Sequence, residues 1–75
     1  MLKDQFIIAP LAGAWLISSA YGHRGPFSTR ADAVREAVTA ADAVKRKGRA
    51  AEVLITRGSY SYSVWSSEWD SYFSA

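Results

Sequence analysis

Apolar and polar positions change rhythm several times along the chain, and each change predicts an element. Gln5-Phe-Ile-Ile-Ala9 is β-branched and aromatic and stops at Pro10, which predicts a strand over residues 5–9. Pro10-Leu-Ala-Gly13 supplies a turn, and Ala14-Trp-Leu-Ile-Ser-Ser-Ala-Tyr21 a second strand over 14–21, paired with the first as a hairpin. Gly22-His-Arg-Gly-Pro26 predicts a loop, because two glycines and a proline extend a ladder poorly. The period then becomes helical over 30–47, with Ala33, Val34, Ala37, Val38, Ala41 and Val44 on one side. Thr29-x-x-Asp32 is a variant of the capping box, Lys45-Arg46-Lys47 complements the helix dipole, and Gly48 suits the left-handed stop. Alternation returns over 52–57 and 60–67, joined by Gly58-Ser59 as a tight hairpin turn. Residues 68–75 form an aromatic tail.

Hairpin, helix, hairpin predicts an α+β fold in β-β-α-β-β order. It is a four-stranded, mainly antiparallel sheet with one helix packed on one face, and residues 1–75 make a single domain. Strand parity sorts the side chains. Phe6, Ile8, Trp15, Ile17, Val53, Ile55, Tyr62 and Val64 form the expected core under the helix. Ile7, Leu16, Leu54 and Trp65, among Ser18, Thr56, Ser61 and Ser63, fall on the other face. One helix covers one face, so those four need another cover. The candidate interface is Ile7, Leu16, Leu54 and Trp65 together with Trp69, Tyr72 and Phe73 of the tail, and the expected partner is a second copy in a homodimer. Folding back of the tail is the alternative cover, and an unidentified protein the other occupant.

Composition supports this picture. Apolar residues make up 49% and charged residues 21%, a globular balance rather than a disordered one. A chain of 75 residues buries a thin core, about 60% of its unfolded surface. There is no cysteine and a single histidine, His23, which excludes disulfides, thiolate metal sites and histidine clusters. Association is the remaining means of reinforcement. Net charge is only +2, but it is unevenly placed: residues 30–49 hold six basic against three acidic groups, and residues 50–75 one basic against three acidic. The apolar run Phe6–Ala20 resembles a leader, yet Asp4 opposes Lys3, and Pro10 and Gly13 interrupt it. It is also shorter than the ~20 residues a bilayer requires. A cytoplasmic protein is expected, with secretion as the alternative.

Gly13-Ala14-Trp15-Leu16-Ile17, Phe27-Ser-Thr29-x-x-Asp32-Ala33, the alanine-rich helix closed by Gly48, and Val53-Leu-Ile55 with Gly58 carry a resemblance. Over residues 6–66 the chain resembles short bacterial proteins known as domain of unknown function 2188. Asp32 stands where members usually show Glu. The resemblance implies a β-β-α-β-β fold and no established activity or ligand residue.

No catalytic, cofactor or metal residue is expected. The ten serines include no G-x-S-x-G elbow. Gly25-Pro-Phe-Ser-Thr29 lacks the lysine of a phosphate loop, and Glu68 with Asp70 reads as a solvated tail. The expectation is a non-catalytic structural or protein-interaction module. The rival is a single-stranded nucleic-acid binder stacking bases on Tyr21, Tyr60 and Tyr62 and meeting phosphates with Lys45, Arg46, Lys47 and Arg57.

Overall fold

In the computed structural model, which describes residues 3–68, the chain runs β1 (Asp4–Leu11), β2 (Ala14–Ser19), β3 (Gly22–Phe27), α1 (Arg30–Arg46), β4 (Ala51–Arg57) and β5 (Tyr60–Ser66). The fold is α+β, and the described residues form the helix α1 and a five-stranded sheet ordered β3-β2-β1-β4-β5. The two central strands, β1 and β4, run parallel, and every other neighbouring pair is antiparallel. A parallel pair needs a long crossover, and the β2–β3–α1 segment provides it.

The fifth strand is the main departure from the alternation pattern. Residues 22–26, expected as a loop, belong to β3, which among the described residues pairs with β2 alone and forms one edge of the sheet. An edge position tolerates Pro26, whose missing N–H need not face a neighbour. Gly25 takes φ +114°, a region that L side chains rarely adopt, and a Cβ there would come within 3.0 Å of the Trp15 carbonyl oxygen. The register between β2 and β3 shifts beside it, between Trp15 and Ile17. The glycines and proline thus serve an irregular edge strand. Pro10, likewise, lies inside β1, because β4 pairs with β1 only over Asp4–Ile8 and Pro10 faces β2 alone.

The helix ends follow local chemistry. Thr29 is the N-cap, and its hydroxyl accepts from the Asp32 amide at 3.1 Å. The Asp32 carboxylate accepts from Arg35, also at 3.1 Å. At the other end Gly48 has φ +87°, the Gly48 amide donates to Lys45 and the Arg49 amide to Val44, a Schellman closure. α1 packs across β4, β1, β2 and β3. Its buried stripe is Ala33, Ala37, Ala41 and Val44, set against Phe6, Ile8, Ile17, Ala51, Val53 and Ile55. Short helix side chains bring the helix axis close to the sheet, whose long side chains fill the layer between.

Two placements differ from the parity argument. Tyr62, expected in the core, is 36% exposed, because the helix packs on the other four strands. Trp65, expected on the uncovered face, packs against the helix-side core together with Val64. A bulge explains it: Val53 pairs with Trp65 but Leu54 pairs with Ser63, so Val64 is an extra residue and parity resets after it.

Candidate interaction surface

Cross-strand register builds the face opposite the helix. His23, Ser18, Ile7, Leu54 and Ser63 follow one another across all five strands in a single row. Leu16 pairs with Ala9 in the next row. Ile7, Leu16 and Leu54 are each half-buried, with no helix over them among the described residues. Leu11, at the end of β1 on the same parity, is 59% exposed. Polar pairs border this apolar centre: the Gln5 amide donates to Glu52 at 3.2 Å, and the Thr56 and Ser61 hydroxyls lie 3.1 Å apart. The arrangement has an apolar middle and a hydrogen-bonded rim, the anatomy of a contact surface.

Of the expected interface residues, the fold brings Ile7, Leu16 and Leu54 together and sends Trp65 to the other side of the sheet. Trp69, Tyr72 and Phe73 lie outside the described residues.

A second cluster, which strand patterning does not signal, stands where β1 begins and α1 ends. Arg49 donates to both carboxylate oxygens of Asp4, each at 3.0 Å, and the Tyr21 hydroxyl donates to Asp4 Oδ2 at 2.6 Å. The Tyr21 ring stacks on Phe6 at 6.0 Å between centroids. The Asp4 side chain is 12% exposed. The Arg49 hydrogen bonds, then the Tyr21 hydroxyl, hold the Asp4 carboxyl below its ordinary value. The same Asp4 carboxylate raises the Tyr21 phenol. A depressed carboxyl stabilises the fold above its unfolded value near pH 3.9 and ceases to do so as pH falls through the native value. Wild type is therefore expected to exceed Asp4→Asn in urea midpoint at pH 7, with the two converging below about pH 4. A gap that persists unchanged to pH 2, or none at pH 7, would show that ionisation of Asp4 contributes nothing.

The residues expected for nucleic acid are divided. Tyr21 sits in the β2–β3 turn with its hydroxyl engaged by Asp4, whereas Tyr60 and Tyr62 lie on β5 at the opposite edge. Three to four strand spacings, roughly 14–19 Å, separate them. Lys45, Arg46 and Lys47 close the helix, with Arg46 paired to Asp42 at 2.9 Å, whereas Arg57 ends β4 opposite Tyr60. Tyr60 and Tyr62 do form a ring pair at 6.4 Å. His23 is exposed on β3, Glu68 pairs with Lys3 at 3.2 Å, and Asp70 lies outside the described residues.

Among the described residues, no three His, Asp or Glu side chains are grouped to hold a metal ion, and no helix is long and apolar enough to cross a membrane. No family model matches the chain, and no curated protein or solved structure matches it either.

Proposed function

We propose that this chain is a small non-catalytic interaction module that self-associates through the helix-free face of its sheet. The observation that supports it is the row through Ile7 and Leu54, with Leu16 beside it: an apolar centre, bordered by paired polar groups, with no helix over it among the described residues. A two-fold arrangement sets this face against its own copy, so Ile7, Leu16 and Leu54 meet their equivalents. Sheets pack in this way at about 10 Å.

Size sets the strength. Five strands spaced by about 4.8 Å and some 20 Å long give a face of roughly 480 Å² in projection. That is less than the ~800 Å² per partner of a standard interface, so the dimer is weak and concentration-dependent. Membership of the domain of unknown function 2188 family is part of the proposal. It is supported by the quoted motifs and by a helix packed on one face of a sheet.

Light scattering across a concentration series tests the reading. The weight-average mass is expected to rise from the 8.2 kDa of one chain toward twice that value in the range of about 10–300 µM. Leu54→Arg puts a charge at the centre of both faces and is expected to hold the protein at one chain throughout, with an unchanged circular dichroism spectrum. A wild-type mass that stays at one chain at the highest concentration rejects the proposal.

A further inference from the structure

On the helix side an open groove lies between α1 and β5. Because α1 packs on β4, β1, β2 and β3, a groove of about 540 Å³ remains beside β5. Val34, Ile55 and Val64 line it as an apolar floor, Arg30 and Arg35 stand on the helix wall, and Tyr62 forms the strand-side lip. Tyr60, which is 62% exposed, extends that lip.

Three observations bear on what fits there. First, β5 pairs only with β4 among the described residues, so half of its backbone N–H and C=O groups face outward. Second, β5 carries none of the usual guards against strand addition before its bulge: Tyr60-Ser61-Tyr62-Ser63 has no proline and no charge. Third, the charge around the groove is positive. Arg30 and Arg35 stand on its wall and Arg57 pairs with Tyr60, and Arg35 is engaged by Asp32. The Arg30 guanidinium meets the Tyr62 hydroxyl at 3.5 Å, a weak contact that an anion would displace.

The geometry points to an extended acidic peptide as the occupant, added as a sixth strand along Tyr60–Ser63. In such a strand alternate residues face the groove. One apolar side chain covers Val34 and Val64, and a carboxylate two positions away meets Arg30 and Arg35. The recognised pattern is apolar-x-acidic. This site lies on the opposite side of the sheet from the proposed self-association face and does not depend on it.

The test uses a random nonapeptide display library on the full chain, followed by nuclear magnetic resonance titration with the most enriched sequence as a synthetic peptide. Enrichment of apolar-x-acidic sequences is expected, with amide shifts confined to residues 60–64 and the first two turns of α1. Affinity should fall about tenfold or more in the Arg30→Glu/Arg35→Glu variant and weaken as salt rises. Leu54→Arg should bind the peptide like wild type, which separates this site from the self-association face. Four results overturn the assignment: no enrichment, enrichment of basic or uncharged sequences, shifts centred on Ile7 and Leu54, or equal binding by the charge-reversed variant. Concentration-dependent broadening of the β5 amides without peptide in the Leu54→Arg variant, whose sheet face is blocked, also overturns it, because a second copy then occupies the edge.

Discussion

Ile8→Ala is expected to lower the unfolding free energy by about 2–5 kcal/mol, the range for truncating a buried isoleucine. Ile8 is 0% exposed at the middle of the central strand. Register places it directly between Ile17 of β2 and Ile55 of β4, so three isoleucines form one continuous row beneath the helix. Both flanking strands are fixed by their ladders, and the helix above offers Ala33, Ala37 and Ala41. An alanine has no length with which to fill a void, so the cavity would stay open and the cost should fall in the upper part of the range. A 75-residue chain has about 4–11 kcal/mol of stability in total, so the loss is a large share of it. At about 4–8 °C per kcal/mol, the melting midpoint should drop by more than 10 °C. Ile7→Ala, at a half-buried position, provides the comparison in monomeric conditions. Equal losses from the two variants would show that the Ile17–Ile8–Ile55 row has no special place in the core.

The second large effect comes from adding volume. Ala37→Leu is expected to destabilise by about 1–3 kcal/mol, because Ala37 is completely buried between helix and sheet. The added carbons must displace either the helix or the aliphatic row beneath it. Ala43→Leu, on an exposed position of the same helix, should change stability by less than about 0.5 kcal/mol. Intrinsic helix propensity differs little between Ala and Leu, so thermal or urea unfolding of the pair isolates the packing effect. A neutral Ala37→Leu would mean that the helix is free to lift from the sheet without loss.

The helix and its caps were legible because their causes are local: Thr29, Asp32 and Gly48 act on backbone within a few residues of themselves. Alternation located most of β1, β2, β4 and β5, since one buried face imposes a period of two. It missed β3, where Gly22, Gly25 and Pro26 serve an edge strand that needs only one neighbour and buries little. Trp65 was misplaced by one extra residue, Val64, and nothing in Tyr60–Ser66 announces where a bulge falls. Strand order was not legible, because pairing is decided by contacts between distant segments. The bond from Arg49 to Asp4 spans 45 residues and follows from that order, not from any motif. The helix-free apolar centre was readable in Ile7, Leu16 and Leu54. The groove beside β5 was not, because it depends on where α1 lies across the sheet.

The parallel contact at the centre of the sheet also constrains how the chain reaches its fold. Partners across β1 and β4, such as Gln5 and Glu52, are 47 residues apart. A growing polypeptide can close its first hairpin early, yet the inner edge of β1 stays open until Val53 and Ile55 have been made and brought back across the helix. β4 therefore decides whether β1 acquires its second neighbour, and a product ending before residue 51 would leave the β4 side of Phe6 and Ile8 open.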